Sequence, residues 1–152
     1  MLSSTIIRKA TSTDAQAISK LMIPLVTEFI SCEYTEQGAA VMLASMTPKV
    51  IRSNFDQAYE YFVTEENNEI VAVLGIKQGN HIFHCFVDKN HHRIHFGKNL
   101  WQYWLANAKP ERVTVNSSRY AIKFYQSLGF SSNHDIFEKN GVTCYPMVFE
   151  NH

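Results

Sequence analysis

What this sequence lacks narrows it first. It has no run of lysine and arginine, and its 14 basic residues are balanced by 14 acidic ones, so the electrostatic footprint of a nucleic-acid binder is missing. No apolar stretch approaches the length of a membrane span, so no membrane partner is expected. The opening Met-Leu-Ser-Ser-Thr has no basic region followed by an apolar core, so no signal peptide is expected. The three cysteines, Cys32, Cys85 and Cys144, are odd in number and show no C-x-x-C spacing; reduced thiols in a cytoplasmic protein fit them best. The seven histidines include no H-E-x-x-H and no matching Cys/His set, so no metal site is expected, even though His91 and His95 stand four apart. Repeats, linkers and low-complexity segments are also missing.

What is there describes a globular chain. Hydrophobic residues make up 45% of the 152, charged residues 18% and aromatics 12%, which supplies a core and excludes disorder. One domain spanning residues 1–152 is the expectation.

Periodicity sets out the elements in order. Thr5 to Lys9 reads as a short strand. Thr11 and Asp14 have capping-box character, and Ile18, Leu21, Met22, Leu25 and Phe29 follow helical spacing, which predicts a first helix over about 13–30, kinked or split at Pro24. A second helical region over about 35–55 is broken near Thr47-Pro48. Two strands, 59–64 and 69–78, form a hairpin, and Gly79-Asn80 turns into the apolar strand His81 to Val87. A third helix runs over about 96–108, then a β-branched strand over 112–115 and a fourth helix over about 119–128, ended by Gly129. Two last strands, about 130–138 and 142–149, are joined through Asn140-Gly141, a strong hairpin signal. The result is a mixed α/β (α+β) fold, with a largely antiparallel sheet flanked by about four helices.

Residues 81–100 organise this order. A strand feeding a helix through a polar loop leaves free N–H groups at the helix start, a ready anion site, and Arg93 and Lys98 add positive charge there.

The fourth helix and its flanks, Asn116-Ser-Ser-Arg-Tyr-Ala-Ile-Lys-Phe-Tyr-Gln-Ser-Leu-Gly-Phe130, resemble a motif of the GNAT acetyltransferase superfamily. The opening Ile7-Arg-Lys-Ala-Thr-x-x-Asp-Ala15 is similar to that family as well, and the element order matches along nearly the whole chain. The resemblance implies an acetyl-CoA site in the central strand, loop and helix. Backbone groups of Phe86 and Val87 would pair with the pantetheine arm. The pyrophosphate would sit on His92, Arg93, Ile94, His95, Phe96 and Gly97, followed by Lys98. Asn116 would bond the arm from the strand end, or cap the following helix. In the family's phosphate loop, His92 replaces Gln or Arg and His95 replaces a glycine. A Cβ at that point costs room for the phosphates. Charged histidines would offset this, so CoA affinity is expected to rise as pH falls from about 8 to 6.

The resemblance also implies direct acetyl transfer from acetyl-CoA to an amine, either a small molecule or a peptide. Tyr125 is then the candidate general acid, since a phenol keeps its proton at neutral pH; the alternative is a core tyrosine beside Phe124 and Leu128. His81 is the candidate base, and His84 a lesser one, placed by strand alternation on the opposite face; the alternative for both is a hydrogen-bonded structural histidine. Glu28, Glu33 and Tyr34 lie where the family walls its acceptor pocket, or else on the surface. Cys85 reads as a small buried hydrophobe. Two other readings stay open: a non-catalytic CoA-binding or sensing domain, and an interaction module. The final hairpin offers an edge strand through which a homodimer could form.

Overall fold

The computed structural model of the chain describes residues 4–151, apart from the side chains of residues 92–94. The edge strand β1 (Thr5–Lys9) leads into helix α1 (Ala15–Leu25). The entry to α1 is fixed by Asp14, which accepts from the Thr11 backbone N–H at 2.8 Å and from both Arg8 terminal nitrogens at 2.9 Å. Arg8 also pairs with Glu65 on the next strand, so β1, α1 and the sheet are tied at one point. Pro24 sits inside α1 and has no N–H to donate, and the helical ladder widens after it into a π-helical turn, Val26–Ile30.

The second helical region is two helices, α2 (Glu36–Ala44) and α3 (Pro48–Asn54), each capped by a threonine hydroxyl, Thr35 and Thr47. Five α-helices therefore stand among the described residues where the sequence pattern suggested about four. Strands β2 (Tyr59–Glu66), β3 (Glu69–Lys77) and β4 (His81–Val87) follow, then helix α4 (Phe96–Ala108), strand β5 (Arg112–Ser117), helix α5 (Ile122–Ser127) and strands β6 (Ser131–Ser132), β7 (Phe137–Lys139) and β8 (Val142–Glu150). The sheet runs β1-β2-β3-β4-β5-β8-β6, with β7 paired to β8 off that path. Among the described residues only β4 and β5 run parallel.

Two expectations change here. The strand foreseen over 130–138 is interrupted between Ser132 and Phe137, where Asn133, His134 and Asp135 favour a turn over a pleated ladder. The fourth helix begins at Ile122 and not near Arg119, because Ser118 to Ala121 form a tight turn, with the Ala121 N–H bonded to the Ser118 hydroxyl at 3.2 Å.

The sheet is buried on both faces. On one face, α4 lays Leu100, Trp101 and Trp104 over Leu74, Ile76, Ile82 and Val113. On the other, Ala15, Ile18, Met22 and Val26 of the first helical segment pack with Met46, Ile51, Tyr61, Val63 and Val73. Period 3.6 in the helices meets period 2 in β2, where Tyr61 and Val63 face one core and Phe62 the other. Fully burying an aliphatic side chain such as Ile18 or Leu100 stabilises the fold by about 1.5–3 kcal/mol. The terminal hairpin is docked on α2 by backbone contact: a Cβ on Gly38 would stand 2.0 Å from the Gly141 carbonyl oxygen, so only glycine fits.

Candidate active site

The site begins as a fault in the sheet. β4 and β5 share only two register pairs, His81↔Thr114 and Ile82↔Val115. Beyond them β4 stays with β3 as far as Val87, while β5 stays with β8 as far as Ser117. Two parallel strands that part this way open a wedge through the sheet, and a cavity of about 630 Å³ fills it. Such a volume lies in the range of small-molecule sites.

One side of the wedge is built from the start of α4 and from β5–α5. His95, at the helix N-cap, is exposed and left-handed, with φ 58°. That is the conformation a glycine adopts freely and a histidine adopts at a cost of about 1–3 kcal/mol. Gly97 is buried, and a Cβ there would stand 3.0 Å from the Phe124 ring and 3.2 Å from Val87 Cγ2. Lys98 and Asn116 are exposed and line the cavity. Asn116 does not cap the next helix, which starts six residues later; it ends the β5 edge of the wedge. Phe96 turns inward, its ring 5.4 Å from that of His91. His91 is itself held between Asp88 at 3.2 Å and Glu66 at 3.1 Å. The side chains of His92, Arg93 and Ile94 lie outside the described residues. The Phe86 and Val87 positions line the cavity from the β4 edge.

At the apex, Tyr125 projects from α5 into the sheet and is buried between Phe124 and Phe130, with ring centroids 5.3 and 5.5 Å away. Its hydroxyl meets the Cys85 thiol. Burial pushes the thiol up to about 12 and the phenol well above its ordinary range, so both keep their protons at neutral pH. Tyr125 thus lines the wedge with its proton in place, and Cys85 is no thiolate nucleophile. The sequence reading had each residue but not their contact, which joins a strand to a helix 40 residues away in the chain.

The two histidines correct the expectation most clearly. Unbroken alternation would place His81 and His84 on opposite faces. The β3–β4 ladder instead shifts register between Gly75 and Ile76, so that Lys77 pairs with His81 while Gly75 pairs with His84. Phe83 is the extra residue of a bulge, and both histidines share one face with Phe86 and line the same cavity. His81 is half-buried with Nδ1 2.8 Å from the Thr114 hydroxyl, and its pKa is lowered by burial and then by Lys77. His84 is fully enclosed and burial lowers it to about 3, so it stays neutral. Asn54 donates to the Tyr61 hydroxyl at 3.0 Å, and that hydroxyl lies 3.4 Å from His84 Nδ1. His84 is therefore too weak a base to take a proton near pH 7.

The expected acceptor wall divides. Tyr34 lines the cavity, its phenol raised to about 12 by burial, by Glu33 and by Cys144. Glu28 points outward to Lys89 at 3.2 Å. Glu33 accepts from the backbone N–H groups of Arg119 at 2.7 Å and Tyr120 at 3.0 Å, clasping the first helical segment to the turn before α5. Phe29 stacks on Tyr120 beside that clasp, with ring centroids 5.3 Å apart. Sequence reasoning missed the residues that do line this side: Leu25, Val26, Ile30, Met42, Ser45 and Met46. The signal was present in part, since apolar spacing continues past Pro24, but its direction depends on the π-helical turn.

The mixed sheet, parted between β4 and β5 beside the start of α4, has the architecture of solved acetyltransferases. The model of the acetyltransferase (GNAT) domain matches residues 30–151, and the chain belongs to that family. Among solved structures, a GCN5-related N-acetyltransferase of Rhodopseudomonas palustris is similar at TM-score 0.82 and 16% identity, covering 99% of this chain and 98% of that one. The PaiA N-acetyltransferase of Thermoplasma acidophilum, solved with coenzyme A, gives TM-score 0.77 at 12% identity over 97% and 99%. The ribosomal-protein-S18-alanine N-acetyltransferase of Escherichia coli gives 0.68 at 17% over 97% and 94%. Among curated proteins none matches. At these identities the likeness is one of fold.

Proposed function

We propose that residues 1–152 act as one acetyl-CoA-dependent N-acetyltransferase domain that passes the acetyl group directly to an amine. The observation that carries this is the placement of the protonated Tyr125 at the apex of the β4–β5 wedge, in the cavity that reaches the α4 N-terminus. The α4 start, with His95, Gly97 and Lys98, would hold the pyrophosphate, joined by the loop residues His92, Arg93, Ile94 and Phe96; the β4 edge at Phe86 and Val87 and the β5 end at Asn116 would hold the arm.

Attack by the amine lone pair on the thioester carbonyl forms the C–N bond, and collapse of the tetrahedral adduct breaks C–S. Tyr125 gives its proton to the departing sulfur and is reprotonated from solvent. His81, neutral at pH 7, accepts the amine proton directly or through water. His84 orients this edge through Tyr61 and transfers no proton. Tyr34 contributes to the acceptor wall, whereas Glu28 and Glu33 act outside it. The free thiols of Cys32, Cys85 and Cys144 support a cytoplasmic setting. Exposed Ile136 and Phe137 by the terminal hairpin support a homodimer, to be tested by sedimentation.

The test is release of free CoA from acetyl-CoA across a panel of amines, with acetyl-CoA binding measured by calorimetry. Binding with amine-dependent release supports the reading. Binding with no turnover on any amine would leave a CoA sensor, the alternative that the strained His95 favours. No binding at all would leave an interaction module.

A further inference from the structure

The cavity has two halves, and among the described residues the half away from α4 is lined by no carboxylate. Among the described residues, its lining from the first helical segment is Leu25, Val26 and Ile30, and from α2 Met42, Ser45 and Met46, while β4 adds Phe86. The nearby acids are committed elsewhere, Glu28 to Lys89 and Glu33 to two backbone N–H groups. The polar groups that remain are uncharged and mostly engaged: Ser45 donates to the Met42 carbonyl at 2.6 Å, His84 faces Tyr61, and Tyr34 keeps its proton.

We propose that the acceptor is a primary monoamine whose body is apolar and ring-sized, and that polyamines and aminoglycosides are excluded; this rests on the transferase reading above. A second ammonium would enter an apolar half whose lining supplies no carboxylate to pair with it, and an unpaired buried charge is strongly disfavoured. The same apolar lining favours the free-base form of the one reacting amine. Proton removal is thereby achieved largely by entry into the cavity, which fits an edge whose histidines are both weakened as bases. Aromatic surface from Phe86 and Tyr34 meets a ring in the acceptor.

The test compares kcat/KM for phenethylamine and tryptamine with that for spermidine and kanamycin, using acetyl-CoA and the full chain. The aromatic monoamines should lead by at least about 100-fold. Equal or better use of spermidine or kanamycin overturns the proposal. So does inertness of both aromatic monoamines while calorimetry shows acetyl-CoA bound. Failure to bind acetyl-CoA removes the transferase reading itself, and the proposal with it. Ser45→Asp should shift the phenethylamine-to-spermidine ratio at least about tenfold towards spermidine. Met42→Glu serves the same purpose if Ser45→Asp does not fold, and an unmoved ratio in a folded variant contradicts the proposal.

Discussion

The two halves of the wedge are built by opposite means. The α4 half relies on backbone: a helix start, a glycine whose Cβ would crowd Phe124 and Val87, and strand edges that part where β4 leaves β5. The far half relies on side chains, delivered by a π-helical turn and a second helix, and it is apolar and uncharged. Backbone devices recur across a family because many sequences can make them. Side-chain walls belong to one chain. The difference teaches where to look for shared chemistry and where to look for specificity.

The seam between the halves should give the largest effect. Tyr125→Phe is expected to lower kcat by roughly 100-fold or more while acetyl-CoA affinity stays within about twofold, read by steady-state rates beside calorimetry. A loss of affinity equal to the loss of rate would make Tyr125 a core residue only.

The far half is sharpened through His84. Its folded pKa of about 3 lies below its ordinary 6.5, so below about 6.5 the unfolded chain takes up a proton that the folded chain refuses. Stability from this group is full above that pH and is lost as pH falls towards 3. Between pH 7 and pH 5 the loss should reach about 2 kcal/mol. Asp14, lowered by Arg8, titrates below this window and does not mask it. Urea midpoints at the two pH values should therefore fall less in His84→Gln than in the parent; equal falls would show that His84 is not enclosed as described.

The α4 half breaks next. Gly97→Ala places a Cβ against Phe124 and Val87, and acetyl-CoA affinity should drop about tenfold, or about 1.4 kcal/mol. Calorimetry reads this, and unchanged affinity would move the pyrophosphate away from this turn. His95→Gly relieves a left-handed histidine and should stabilise the chain by up to about 1 kcal/mol in thermal melts. It should also raise acetyl-CoA affinity a few-fold, read by calorimetry, because the phosphates gain the room that the Cβ occupies. The smallest effect concerns His81. Its lowered pKa predicts that the acid limb of the rate profile lies below the ordinary histidine range, and that His81→Gln removes this limb. A limb unchanged in the variant would assign it to another group.

Much of the fold was legible in the sequence because the elements obey local rules. Thr47-Pro48 marked the break between α2 and α3, Asn140-Gly141 marked the hairpin, and the apolar periods marked β4 and α4 to the residue. The start of α4 was legible from its strand–loop–helix pattern, and the place of Tyr125 on α5 from its motif. What was not legible depends on pairing across the chain. The bulge at Phe83 is set by how β4 meets β3, and no pattern within 81–87 announces it. Glu33 reads from the sequence as an acceptor group or a surface one, because its partners, Arg119 and Tyr120, lie 86 and 87 residues away. The wall of the far half needed the π-helical turn after Pro24, whose direction only the folded chain fixes.

One measurement tests the central claim most directly: product analysis by mass spectrometry after incubation with acetyl-CoA and phenethylamine, beside titration of free CoA. The account predicts N-acetylphenethylamine and CoA in a ratio of about one to one. Bound acetyl-CoA with neither product formed on this or any other amine would contradict it.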